Sequence, residues 1–321
     1  MGLVKTILPL PRAVARLSPR VGRPLLGSAL MHCHTPNTWV LRRPPSPKRR
    51  LTWAEEAVAV YQALVETESP RPRHRDLLAR ALTQHALALL LVGRYEQAWT
   101  TIEASLAVPG ARWSPAQWAS LLHLQAEVQF NLGRYDEALA SAAECVAAYR
   151  RLVPTRRERV LGRLPRALHT YALVLGALGR TNESVAAHEE CAGLLRAMSP
   201  WDLLQLSRLA TLRPRVLFKL TVGFFGLGRF EEALTVGQEA REAADPFVIW
   251  ASPETMRPLR IQILALLALC YEVTGDLPTA RTTATEAVAA ARALTDRHPA
   301  AGELLTLVLD SLADLLGEPE E

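Results

Sequence analysis

Lysine is almost missing from this 321-residue chain: only Lys5, Lys48 and Lys219 occur among 37 basic residues, the other 34 being Arg. None of the three follows a Gly, so the Gly-Lys-Ser/Thr step of a phosphate-binding loop is excluded. Cysteine is equally sparse. Cys33, Cys145, Cys191 and Cys270 are dispersed without a C-x-x-C pair, which argues against a zinc knuckle or thioredoxin-type motif and reads as reduced core thiols in a cytoplasmic protein. Aromatics are only 6% while Ala occurs 49 times, so strand formers are scarce and helix formers dominate; an all-α protein is expected. No apolar run reaches the ~18 residues of a membrane span; the best, Leu264 to Tyr271, is short.

Acidic residues are absent from residues 1–54, which carry ten Lys/Arg. The remaining 267 residues hold 27 Lys/Arg against 32 Asp/Glu, a net of −5, so the overall +5 belongs to the N-terminal segment. A nucleic-acid-binding domain would carry its own basic face, and none is expected here. Arg12, Arg16, Arg20 and Arg23 interrupt any signal-peptide core, and Pro44, Pro45 and Pro47 argue against one long helix. Residues 1–52 therefore read as a basic Pro/Arg-rich leader, disordered or irregular, with targeting or membrane-surface contact as the alternative.

What the chain does contain is repetition. Segments ending LLVGRYEQA, FNLGRYDEA, GALGRTNES, FGLGRFEEA and EVTGDLPTA place Gly93, Gly133, Gly179, Gly228 and Gly275 at intervals of 40, 46, 49 and 47. Five residues after each Gly stands a small residue: Ala98, Ala138, Ser184, Ala233 and Ala280. Seven residues before stands another: Ala86, Ala126, Ala172, Thr221 and Ala268. The Gly falls where one apolar-periodic helix ends and suits a left-handed C-cap. The small residues then allow two antiparallel helices to approach closely, with Tyr95, Tyr135 and Phe230 covering the contact.

These segments resemble tetratricopeptide repeats, in the longer-period form similar to kinesin light chain. Ala86, Gly93, Tyr95 and Ala98, and likewise Ala126, Gly133, Tyr135 and Ala138, match the family's small residue, turn Gly, aromatic and Ala. Thr181, Leu277 and Ser184 depart from it, and the family's Trp near the start of the first helix is absent. The resemblance implies a right-handed α-solenoid of tandem antiparallel helix pairs over residues 53–321: a half unit at 53–74, five units over about 75–297, and a capping helix at 299–317. Helices are expected at 53–68, 75–92, 95–108, 115–132, 135–152, 164–178, 182–198, 201–211, 214–227, 230–244, 254–274, 277–295 and 300–316, with Pro154 and Pro246 between or early in helices.

The resemblance also implies a concave groove lined by the first helix of each pair. Its candidate residues are Arg80, Thr83 and Leu87; His123, Glu127 and Phe130; Arg166, His169 and Leu173; and Arg215, Phe218, Lys219 and Val222. The family's carboxylate clamp for C-terminal peptides, built on Lys and Asn, is not reproduced. Arg166, His169, Arg215, Phe218 and Lys219 form a basic, partly aromatic stripe suited to an acidic segment. No catalytic constellation stands out: His32-Cys33-His34 lacks further metal ligands, and His188-Glu189-Glu190-Cys191 lacks the second His of a zincin. No cofactor and no enzymatic activity are expected. The leading expectation is a protein-interaction scaffold binding a peptide or partner helix; a sensory arm of a bacterial transcription or signalling system is the alternative, and an enzyme subunit the third.

Overall fold

The computed structural model describes residues 26–30, 46–66, 72–160, 162–198, 211–250 and 253–317, and every regular element among them is helical. The chain divides into two compact units, residues 1–160 and 161–321. The first holds α1 (Pro47–Val65), α2 (Pro72–Leu91), α3 (Tyr95–Leu106), α4 (Pro115–Asn131) and α5 (Tyr135–Val160). The second holds α6 (Leu164–Ala177), α7 (Thr181–Arg196), α8 (Leu212–Gly226), α9 (Phe230–Trp250), α10 (Pro253–Val273), α11 (Leu277–Arg297), a short 3-10 turn at Pro299–Ala301, and α12 (Gly302–Leu316). Five antiparallel pairs result: α2–α3, α4–α5, α6–α7, α8–α9 and α10–α11. The fold is all-α, of the tandem helix-pair solenoid class, with α12 covering the fifth pair.

The turns explain why the pairs form. Each of the five repeat Gly adopts φ between 72° and 89°, the left-handed region that a Cβ disfavours. In each, the residue after the Gly donates to a carbonyl five positions back and the Gly itself to one three positions back, as in Arg134 N to Gln129 O (2.9 Å) and Gly133 N to Phe130 O (3.1 Å). This double bond satisfies the loose carbonyls at the end of the first helix and reverses the chain within two residues. Helix starts are fixed separately. Ser114 and Gln117 form a reciprocal capping box before Pro115, and the Asp276 carboxylate accepts from Thr279 N at 3.2 Å.

Small residues then close each pair. Ala86, Ala126, Ala172 and Ala268 on first helices, and Ala98, Ala138, Ala233 and Ala280 on second helices, are all fully buried. A second line of contact seven residues farther along was not read from the sequence. Ser105 Oγ donates to Ala79 O at 2.7 Å, Cys145 Sγ to Ala119 O at 3.2 Å and Cys191 Sγ to Pro165 O at 3.1 Å, each across its own pair. Ala240 and Ala287 fill the same place, fully buried, in the last two pairs. Burial pushes the Cys145 and Cys191 thiols up to about 12, so both stay protonated and suit packing rather than reaction.

Three boundaries differ from the sequence expectation. Residues 47–52 belong to α1, because Ser46 caps it and Pro47 occupies the first helical position where its missing N–H costs nothing. Residues 26–30 are helical, not irregular: Leu26 and Leu30 are buried against Trp53, Tyr61 and Leu64, and a Cβ on Gly27 would fall 2.6 Å from the Tyr61 ring. Pro154 and Pro246 lie inside α5 and α9, where one lost N–H bond does not outweigh the helix formers that follow or precede it. The expected helix at 201–211 falls almost wholly outside the described residues, as do His32-Cys33-His34 and the leader's other residues before Leu26.

Candidate functional site

The first helices of the pairs present the candidate residues, and helical spacing decides what each can reach. In the first unit, Arg80 of α2 is exposed and Leu87 half-buried. Thr83 is different. It is only 9% exposed, and its hydroxyl, 3.0 Å from Ala79 O and 3.1 Å from Ser105 Oγ, can donate its one proton to either, so it is turned inward and joins α2 to α3. A short hydroxyl three turns from the Gly is drawn inward by the Ser across the pair, which corrects its assignment to the groove.

On α4, His123 Nδ1 lies 3.8 Å from Glu127 Oε2, one helical turn away, and both are half-buried. Phe130 packs against Tyr135, ring centres 5.7 Å apart, which places the expected aromatic cover over the end of the first helix. Phe225 and Phe230 repeat that contact in the fourth pair at 5.3 Å.

The second unit gathers the basic residues. Arg166, His169 and Leu173 of α6 are half-buried. His169 Nδ1 lies 3.3 Å from Nε2 of His188 on α7, with ring centres 5.4 Å apart. His188 is buried and its pKa falls to about 4: desolvation is the chief cause, a hydrogen bond to the Ser184 backbone opposes it, and the Lys219 charge lowers it further. On α8, Arg215 and Lys219 are exposed, Phe218 is half-buried, and Lys219 Nζ sits 5.8 Å from the Phe218 ring centre. Val222, one turn on, is 41% exposed. Among the described residues neither Arg215 nor Lys219 forms an ion pair. His188, weighed from sequence only as part of an incomplete zincin motif, is the buried neighbour of His169; its signal was its position four residues after Ser184, where the second repeat has the small Ala142.

No group of three His, Cys, Asp or Glu among the described residues is placed to hold a metal ion, and no described helix is long and apolar enough to cross a membrane. Residues 119–144, from the middle of α4 to the middle of α5, match the sequence model of the tetratricopeptide repeat family. That stretch is similar to a tetratricopeptide repeat. Comparison with curated proteins gave no match. Among solved structures, the helix pairs of this chain are similar to the apo form of RapI, with a TM-score of 0.63 at 13% identity over 90% of this chain and 70% of that one. They are also similar to a signal transduction ATPase with numerous domains and a tetratricopeptide repeat sensor from Pyrococcus horikoshii: TM-score 0.59, 14% identity, 98% of this chain and 44% of that one. A Rap protein complexed with Competence and Sporulation Factor is similar at TM-score 0.50 and 12% identity, over 97% of this chain and 87% of that one. At these identities the likeness establishes the fold.

Proposed function

We propose that these tetratricopeptide repeats form a non-catalytic protein-interaction scaffold whose working surface is the first-helix face of the second unit, and that its partner is an acidic, partly apolar peptide or helix. The observation that carries this is α8: Arg215 and Lys219, exposed and without carboxylate partners among the described residues, stand beside the half-buried Phe218 and the exposed Val222. Exposed cations repel one another and gain most from a ligand that brings acid, while Phe218 and Val222 supply apolar area at the centre of the contact. Arg166, His169 and Leu173 extend the same composition on α6, the first helix of the preceding pair. In the first unit, Arg80, Leu87, His123, Glu127 and Phe130 hold the corresponding positions, and Glu127 makes that stretch less suited to an acidic partner. The similarity to a Rap protein solved with a bound factor supports a ligand-holding role for such repeats. A sensory arm is the second reading, favoured by the similarity to the repeat sensor of the Pyrococcus ATPase.

The test is comparative capture. Wild-type chain and an Arg215→Ala/Lys219→Ala variant are used as baits in lysate of the source organism, and the captured partner's affinity is then measured at low and high salt. The variant keeps the wild-type circular-dichroism spectrum, binds the partner more weakly and shows a shallower salt dependence. Equal affinity and equal salt dependence would place the working surface elsewhere.

A further inference from the structure

The fifth pair is closed at one end and open at the other. At the Gly275 turn Ala268 and Ala280 are both fully buried and the helices touch. Toward the far end, α10 and α11 flank a cleft of about 170 Å³ lined by Arg257, Arg260, Ile261, Ala290, Ala293, Leu294 and Arg297. Its lining is largely apolar: Ile261 and Leu294 are buried, while Ala290, half-buried, and Ala293, exposed, contribute only a methyl each. Three Arg, Arg257, Arg260 and Arg297, are among the residues that line it. Arg260 is already committed, donating to Asp245 at 2.7 Å and to Glu286 at 2.6 Å, while the second oxygen of Glu286 accepts from Arg241 at 3.1 Å. Asp245 and Glu286 are thus paired with Arg260 and Arg241. Arg257 and Arg297 have no ion-pair partner among the described residues.

We infer that this cleft is a binding site for a small organic carboxylate, its single ring or short aliphatic body on Ile261, Ala290, Ala293 and Leu294 and its carboxylate between Arg257 and Arg297. The size fits: an apolar cavity of roughly 150 Å³ takes one benzene, and this cleft is of that order, well below the roughly 300–1,000 Å³ of a site for larger ligands. The charge fits, since a guanidinium fork matches a carboxylate in two hydrogen bonds, and two lining Arg without an ion-pair partner among the described residues leave a positive excess that an apolar neutral ligand would not relieve. Such a carboxylate comes from two sources, a free small acid or the C-terminus of a chain ending in an aromatic or aliphatic residue. The site is independent of the α6 and α8 surface and stands or falls separately.

Calorimetric titration of the full chain decides it. Benzoate binds saturably; benzamide, which keeps the ring and loses the charge, and acetate, which keeps the charge and loses the ring, bind at least tenfold more weakly. Arg257→Gln/Arg297→Gln weakens benzoate at least tenfold by removing the forks. Ala293→Leu does the same by filling the cleft with the charges intact, so a folding defect in the Arg variant leaves the proposal testable. An acetylated tripeptide ending in Phe, offered with a free carboxylate and as its amide, separates the sources: competition with benzoate by the free carboxylate alone assigns the cleft to a chain terminus, and no competition by either assigns it to a free acid. Absence of saturable benzoate binding, or benzoate binding unchanged in Ala293→Leu, overturns the site.

Discussion

The α4–α5 and α6–α7 pairs use the same turn and the same closing contacts, yet three side chains beside those contacts differ. Gly133 and Gly179 share a φ of 74°, Ala126 and Ala172 are both fully buried, and Cys145 and Cys191 donate to corresponding backbone carbonyls. The α4–α5 pair has Tyr135, Ala138 and Ala142 where α6–α7 has Thr181, Ser184 and His188. What the backbone dictates is held, and what a side chain can compensate varies: Ser184 Oγ donates to Ala172 O at 2.7 Å, and His188 meets His169. The consequence reaches the surface. At the same repeat position, His123 faces the Glu127 carboxylate, whereas His169 faces a buried imidazole beside Lys219.

The largest expected separation of the two pairs is in acid. An unfolded His titrates near 6.5, but folded His188 does so near 4 because burial disfavours its charged form. Its folded pKa is depressed, so the unfolded chain binds the proton first as pH falls below 6.5, and stability is lost between about pH 6.5 and pH 4. A shift of this size corresponds to a loss of about 3 kcal/mol. Melts of the wild type at pH 7 and pH 5 should differ by more than those of His188→Ala, which installs the residue of the α4–α5 pair. Identical acid sensitivity in the two chains would show that His188 does not govern it.

The next effect tests what the pairs share. Ala126→Leu and Ala172→Leu each force three extra carbons into a fully buried contact and should each cost about 1–3 kcal/mol by overpacking. Both should lower the urea midpoint; a neutral result in either pair would mean its helices are not held at the small-residue contact.

That contact was legible in the sequence because it recurs: five Gly with small residues at fixed offsets need no tertiary knowledge to be seen, and the helix boundaries follow from Gly, Pro and Ser placement. The candidate surface was less legible. Thr83 occupies a groove position by spacing but faces Ser105, because an inward hydroxyl 22 residues away is invisible to a helical period. The 26–30 helical segment was hidden by composition, since ten positive charges and several Pro over residues 1–52 outweigh the few apolar residues, Leu26 and Leu30, that reach Tyr61 and Trp53. The carboxylate-sized cleft depends on two Ala that look, in sequence, like any other helix-forming Ala.

A smaller effect, equal in both pairs, is expected from Gly133→Val and Gly179→Val. A Cβ at either position meets no atom within 4 Å, so the cost is not steric contact with neighbours but the left-handed backbone, about 1–2 kcal/mol. Thermal melts of the two variants should shift by similar amounts; an unchanged melting temperature would remove the Gly from its role as helix terminator.

The smallest effect comes from exchanging the residues that differ most quietly. Ser184→Ala removes a hydrogen bond worth roughly 0.5–1.5 kcal/mol net. The lost acceptor is not stranded, because the Ala172 carbonyl lies inside α6 and keeps its helical partner, and Ala is the better helix former by a few tenths of a kcal/mol. The two effects oppose, leaving a loss of no more than about 1 kcal/mol. The reverse change, Ala138→Ser, places a hydroxyl at the same offset from the Ala126 carbonyl and should be close to neutral. Urea midpoints for both variants test this reading. A large loss for Ser184→Ala with a neutral Ala138→Ser would show that the α6–α7 pair depends on its polar contact for closure, and that the two pairs are held together by different means despite sharing one turn.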